Sequence, residues 1–331
     1  MIADVVLGLQ HGDEAKGKVT HYLCKFKDYT HVLRFNGGCN AGHTIYHEGK
    51  KHVTHHIPAG VFYGIKSIIG PGCVVNPPQF FKEIEELESN GIDTKGKIFI
   101  STNAHVITED HMYEEEAESK IGTTKRGNGP AYRDKYARTG LQAKDVKSLE
   151  PYLIDLYEEF HSKHVRTPVI LCEGAQGFGL DIDWGEYPYV TSSHCGLGGV
   201  LLNGIPHTWI RDVWGVAKIY ETYVGSKSFE PQTEDDFFEQ VREVGEEYGA
   251  TTGRPRQCSW LDLDTLKRTL TMNSVNKVVF NKMDVLRALN RWQLVNDGEL
   301  ITLDDEQQVE SFISHMLPDT EIYFSDDKHK I

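Results

Sequence analysis

A chain of 331 residues, 39% hydrophobic and 25% charged, can bury a sizeable core and is composed like an ordinary globular protein. Its net charge of −14 and pI near 5.6 argue against nonspecific binding to nucleic acid or to a membrane surface, since both depend on basic patches that neutralise phosphates. Six scattered cysteines without a C-x-x-C pair, an N-terminus lacking a basic n-region and a long apolar h-region, and the lack of any apolar run of membrane-spanning length lead to the expectation of a reduced cytoplasmic protein, in which an anionic ligand must be held by a local cluster.

An apolar, β-favouring run, Val5 to Leu9, reaches a turn at Gly12, and a helical pattern follows from about Lys16 through Leu23 and Phe26. In this strand, loop and helix, Gly12, Gly17 and Lys18 fit the G-x-x-x-x-G-K part of a phosphate loop, where backbone N–H groups and a helix N-terminus face an anion. Val19 stands where a magnesium-binding Ser or Thr is expected. Asp13 and Glu14 are unusual in a phosphate cradle, because a carboxylate beside phosphates is repelled unless a cation or a proton-transfer role compensates. Asp13 is therefore the leading catalytic candidate; the plainer reading is a tight glycine turn with solvated acids.

His31 to Phe35 reads as a second strand, ending in a loop from Asn36 to Thr44. Glycines at 37, 38 and 42 let the backbone approach a ligand, while Asn40, His43 and Thr44 supply side-chain donors, and His43 is the candidate acid/base partner of Asp13. Tyr46 to Ile57 reads as a hairpin around Glu48 and Gly49. Its His52, His55 and His56 raise the idea of zinc, yet alternation along a strand points His55 and His56 apart. Ser67 to Gly70, a Pro-started helix from Pro77 to Ser89, and Lys97 to Ser101 continue a strand–helix alternation that marks an α/β chain.

The stretch from Ile121 to Gly140 looks too glycine-rich to be regular; its hydroxyls and cations suit a second phosphate site, against the alternative of a solvated basic loop. Pro168 to Gly177 reads as a buried strand running into a turn, so Gln176 projects where parallel sheets bind ligands, and Pro188 to Ser193 adds hydroxyls. Val213 to Tyr220 reads as a strand and Thr233 to Tyr248 as an acidic amphipathic helix with a solvated face. In Gly249 to Gln257, Arg254 and Arg256 flank a rigid proline and follow two threonines, an arrangement suited to bidentate carboxylate recognition. Lys277 to Asp284 is an apolar strand ending in N-K-x-D, a motif whose carboxylate accepts both guanine N1–H and the 2-amino group.

Together these motifs resemble the adenylosuccinate synthetase family, in the short form of archaea and some viruses. The resemblance runs from Val5 to about Leu286 through Gln10 to Lys18, Asn40 to Thr44, Ile121 to Thr124, Glu173 to Gly177, Tyr187 to Ser193, Thr251 to Arg256 and the N-K-x-D stretch. It implies one domain over residues 1–331, a mostly parallel twisted sheet with helices on both faces and a P-loop-like site. It also implies GTP-driven joining of L-aspartate to C6 of a purine nucleotide through a 6-phosphoryl intermediate.

By the same resemblance Asp13 takes the N1 proton and binds Mg²⁺ with the Gly42 carbonyl, and His43 donates to the transferred oxygen. Gly12, Lys16, Gly17, Lys18 and Thr44 belong to the phosphate site. Asn40, Thr124 and Thr191 hold the acceptor 5′-phosphate, Arg138 reaches in from the second subunit of a homodimer, and Gln176 orients the base. Thr251, Thr252, Arg254 and Arg256 grip aspartate, while Asn281, Lys282 and Asp284 read guanine. The family usually has Trp at His11, Gly at Ala15 and Arg at Gln257. It also has a Ser-x-Gly-Pro-x-Arg stretch where Ser325 to Lys330 stand here.

IMP is the expected acceptor. The alternative is dGMP, the acceptor of viral relatives that make 2-aminoadenylosuccinate, in which case the setting is host cytoplasm. A regulatory GTPase is the rival from another class: it shares the phosphate loop and N-K-x-D, but it has no use for Arg254 and Arg256.

Overall fold

A computed structural model describes residues 1–117, 121–162, 167–229, 235–249 and 253–331. Its frame is a nine-stranded sheet made of β1 Ile2–Gly8, β2 His31–Arg34, β3 Lys66–Ile69, β4 Ile98–Ser101, β5 Leu153–Ile154, β6 Val169–Glu173, β7 Ile210–Lys218, β8 Lys277–Asn281 and β9 Glu321–Ser325, in the order β9-β8-β7-β1-β6-β2-β3-β4-β5. Every neighbouring pair is parallel, so all nine strands send their carboxyl ends to one edge.

The central strand shows why the apolar run is continuous. Ala3, Val5 and Leu7 pack into one cluster with Leu263, Leu266, Val285 and Leu286. Val6, between them, packs on the other face with Val19, Leu23 and Cys24 of the helix Lys16–Phe26. A strand covered by helices on both faces has no side to leave polar. Hence the doubly covered α/β architecture expected from the alternation of elements.

Several local expectations hold closely. The helix Pro77–Ser89 begins with proline in its first turn and is capped by Asn76, whose side chain accepts from the Gln79 amide. His43–His47 pairs antiparallel with Lys50–Thr54 about the Glu48–Gly49 turn. The acidic helix is described over Asp235–Val244, with Phe237, Phe238 and Val241 buried.

The stretch 121–140 is a correction. It contains the helix Asn128–Ala137, despite Gly127, Gly129 and Pro130. Proline is tolerated in a first helical turn, and long-range contacts decide the rest. Ala131 and Tyr132 are buried, and the Tyr132 hydroxyl donates to the Gly37 and Gly72 carbonyls. A second, four-stranded mixed sheet of Tyr220–Tyr223, Gln257–Asp262, Trp292–Asn296 and Glu299–Leu303 stands beside the first. Among the described residues no helix is long and apolar enough to cross a membrane.

Candidate active site

The sheet register sets polar groups in a row at the carboxyl edge. Glu173 at the end of β6 lies opposite Arg34 at the end of β2, while Lys218, Asn281 and Ser325 close β7, β8 and β9 side by side. This is where open parallel sheets bind ligands.

β1 runs into this edge through a strained loop: Gly12, Asp13 and Ala15 have φ of 90°, 61° and 72°. Non-glycine residues held at positive φ are uncommon and gather at functional sites. Within the loop Glu14 turns inward and is fully buried, accepting from the Gln10 amide at 3.1 Å, the Gly12 amide at 2.8 Å and Lys16 Nζ at 2.5 Å. Only glycine fits beside it, because a Cβ at Gly177 would come within 2.4 Å of its carboxylate. Glu14 is thus an internal anion for its own loop, and Lys16, read from the sequence as a phosphate contact, is its counter-ion in this structure.

Asp13 points the other way and keeps 35% of its side chain exposed. Its Oδ2 lies 2.9 Å from Arg256 Nε. Arg256 Nη1 donates to Glu247, whose carboxylate also takes Lys218 Nζ at 2.8 Å and the Tyr220 hydroxyl at 2.6 Å. Arg256 therefore joins the loop carboxylate to a buried ionic cluster. Arg254 donates to the Gly122 and Thr123 carbonyls, drawing the segment that carries Thr124 toward the same region. Thr251 and Thr252 lie outside the described residues.

His43 is buried against the helix N-terminus, where a Cβ at Gly17 would sit 3.0 Å from its own Cβ. Its Nδ1 is 2.6 Å from Glu173, and Arg34 Nη1 donates to its Nε2 at 2.9 Å. A guanidinium only donates, so Nε2 is the acceptor and Nδ1 carries the proton toward the carboxylate. Burial and the Arg34 charge hold the ring neutral, with its pKa lowered to about 4, while Arg34 and His43 outweigh burial and keep Glu173 ionised. The His43 role expected from the sequence, donation to the transferred oxygen, requires a rearranged proton and release of Arg34.

A neutral cluster adjoins these groups. Gln176, itself at φ 56°, donates to Asn40 Oδ1 at 3.1 Å, and Asn128 donates to the same oxygen at 2.8 Å. Asn36 donates to Gln176 Oε1 at 3.4 Å and to Ser193 Oγ at 3.3 Å. Thr191 is tied by its amide to the Leu180 carbonyl nearby in sequence.

The donor-base motif sits at the end of β8. Asn281 donates to the Glu14 carbonyl at 2.8 Å, which fastens the motif to the phosphate loop; Lys282 donates to the Gly245 carbonyl at 2.6 Å, and Asp284 is exposed in the first turn of the helix Met283–Leu289. Lys18 does not lie over the loop: its Nζ donates to Ser325 Oγ at 2.7 Å and to the Asp327 carbonyl at 2.9 Å. Burial lowers its pKa to about 8, against the pull of Asp327 and Asp284. Lys18 thus belongs with the donor-base end. Gly42 and Thr44 flank His43 at the start of the hairpin, and Arg138 is exposed at the end of the helix Asn128–Ala137 with φ 66°. The zinc idea does not survive: His55 Nδ1 meets the Ala41 carbonyl, His56 Nε2 accepts from the Asn76 amide, and His52 packs on Phe62.

Sequence reasoning left several residues of this site unassigned: Glu14 as the loop's own anion, Arg34 and Glu173 around His43, Asn36, Asn128 and Ser193 in the amide cluster, and Glu247 with Lys218 behind Arg256. Glu173 was the accessible one, since it closes an apolar strand immediately before a glycine-bounded turn.

A phosphate loop bearing a solvent-facing carboxylate, an N-K-x-D strand end and an arginine pair converging on one edge define a nucleotide-dependent enzyme that handles acidic substrates. The adenylosuccinate synthetase profile matches residues 5–150 and 146–316. The chain is 39% identical to the adenylosuccinate synthetase of Chlorobium limicola over 86% of this chain and 77% of that one, and 37% identical to that of Salinibacter ruber over 90% and 81%. Among solved structures it superposes on the fully ligated adenylosuccinate synthetase of Plasmodium falciparum with a TM-score of 0.88 and 28% identity, covering 98% of this chain and 97% of that one. It shares its fold with the cyanophage S-2L succinoaminodeoxyadenylate synthetase bound to dGMP and dATP, at TM-score 0.72 and 20% identity, covering 95% and 99%. The chain belongs to the adenylosuccinate synthetase family. It is a GTP-dependent carbon–nitrogen ligase of purine nucleotide biosynthesis that joins L-aspartate to a purine nucleotide.

Proposed function

We propose that Asp13 is the base of this reaction, working in one domain over residues 1–331 in the cytoplasm. The observation that carries this is the Asp13–Arg256 ion pair, which sets the phosphate-loop carboxylate against the arginine of the aspartate-binding motif. In the reading it supports, Asp13 removes the N1 proton of IMP, O6 attacks the γ-phosphorus of GTP, and the bond to GDP breaks. The aspartate amine then attacks C6, and phosphate leaves with O6. His43, once its proton is on Nε2, donates to O6; Glu173 holds the ring in place.

Asn40, Thr124, Thr191 and Gln176 hold the acceptor; Arg254 and Arg256, with Thr251 and Thr252, take the aspartate carboxylates. Asn281, Lys282 and Asp284 read the donor base, and Lys16, Gly12, Gly17 and Thr44 face its phosphates. Asp13 and the Gly42 carbonyl are hard oxygen donors of the kind that suit Mg²⁺ completed by substrate phosphates, and the partly exposed Asp13 carboxylate can accept such an ion. When bound, Mg²⁺ neutralises charge on the transferring phosphoryl group.

Incubation with GTP, Mg²⁺, aspartate and IMP, GMP or dGMP in turn, with product detection by mass, tests the acceptor. Succinylated IMP is expected; product from dGMP alone would move the chain to the diaminopurine reading. The exposed Arg138 completes the site of a second subunit in this proposal. Mixing Arg138→Leu with Asp13→Ala protein should then restore part of the activity that each lacks alone, and no recovery would remove the shared site.

A further inference from the structure

The ionic cluster behind Arg256 has no part in the roles above. Glu247 is fully buried, just beyond the helix Asp235–Val244. Its Oε2 takes both Lys218 Nζ and Arg256 Nη1, its Oε1 takes the Tyr220 hydroxyl, and its backbone carbonyl accepts from the Arg256 amide at 2.9 Å. Lys218 is buried too and also donates to Thr222 Oγ1 at 2.8 Å. The segment is fastened from both sides, by Lys282 on the Gly245 carbonyl and by Arg242 Nε on the Arg256 carbonyl at 2.8 Å.

Two facts separate this cluster from ordinary packing. Buried ion pairs are weak contributors to stability, and apolar residues of like volume commonly do as well, so stability alone does not call for one here. The cluster also ends at the reacting carboxylate: the guanidinium held by Glu247 at Nη1 meets Asp13 with its Nε. Burial pushes the Glu247 carboxyl up, but Lys218 and Arg256 outweigh it and hold its pKa at about 2, so Glu247 stays ionised and carries no proton in the reaction.

We propose that Glu247 is a positioning residue of this ligase, fixing Arg256 so that its guanidinium meets the Asp13 carboxylate in one geometry. The proposal rests on the reading of Asp13 as the base. Without Glu247 the Arg256 side chain regains rotamer freedom and Asp13 loses its fixed neighbour, and displacements of about 1 Å at a reacting group cost on the order of a hundredfold in rate.

The double variant Glu247→Gln with Lys218→Met removes both buried charges together, leaving neither unpaired. It should fold and bind GTP and IMP with KM within about threefold, while kcat at saturating substrates falls roughly a hundredfold. In an Arg256→Lys background the same pair of changes should cost less than about threefold, because the effect runs through Arg256. A near-normal kcat, or an equal loss in both backgrounds, overturns the proposal. Should the double variant not fold, Glu247→Asp keeps the charge and retracts it by one methylene; lowered kcat with an unchanged melting temperature supports the proposal, and full activity refutes it. Asp13→Asn measured alongside separates the two readings. If it stays active, the base assignment fails; if it is dead beside a fully active Glu247 variant, only the positioning role fails.

Discussion

The carboxyl edge of the sheet has a charged end and a neutral end, and they are built on opposite plans. At the charged end ionised groups are held in pairs: Glu14 with Lys16, Asp13 with Arg256, Glu247 with Lys218, Glu173 with Arg34 and His43. At the neutral end the groups are uncharged side-chain amides: Gln176 and Asn128 both donate to Asn40 Oδ1, and Asn36 donates to Gln176 Oε1. A phosphate entering the charged end must displace a carboxylate from a cation or an amide. One entering the neutral end finds N–H groups already converging. Burying charges without partners is costly, so an acidic chain can hold a cluster of cations at its site only by pairing them internally until substrate arrives.

The contrast predicts unequal costs. Asp13→Asn keeps the shape of the charged end and removes its base, so kcat should fall at least about a thousandfold with IMP KM little changed, as measured in steady-state assays. A loss under tenfold would make Asp13 one more internal counter-ion. Asn40→Ala removes one shared acceptor from a neutral network, where a hydrogen bond is worth about 1 kcal/mol, so kcat/KM for IMP should fall only about tenfold. A loss as large as that of Asp13→Asn would erase the distinction between the ends.

Acid gives the smallest effect. Burial lowers His21 and His43 to about 4 and His56 to about 3, whereas an unfolded histidine titrates near 6.5. Between about pH 6.5 and 4 the unfolded chain therefore binds protons that the folded chain refuses. The stability that these neutral rings contribute is complete above about 6.5 and is lost as pH falls toward 4. A melting temperature declining by several degrees across that window is expected, and a flat profile would contradict the neutral state assigned to His43.

Much of this edge was legible in the sequence, because its backbone framework follows local rules. The Val5 to Leu9 run, the glycines at 12 and 17 and the apolar strand before Asn281 place loop, helix and donor-base motif with no tertiary information. The pairing of charges was not legible. Nothing near Glu14 in sequence says that it faces inward, and the contact of Arg256 with Asp13 exists only because β1, β7 and the second sheet meet. The helix Asn128–Ala137 was hidden for a related reason: Gly127, Gly129 and Pro130 lower its intrinsic propensity, and the Tyr132 contacts with Gly37 and Gly72 that favour it come from residues distant in sequence.

In the proposed reaction the charged end activates O6 of the acceptor, and this oxygen leaves as phosphate. A single turnover with IMP labelled with ¹⁸O at the 6-position, GTP and aspartate, followed by mass analysis of the released phosphate, tests it directly. One ¹⁸O is expected in each phosphate released with product, and none from Asp13→Asn in the same time. Product formed with unlabelled phosphate would contradict it.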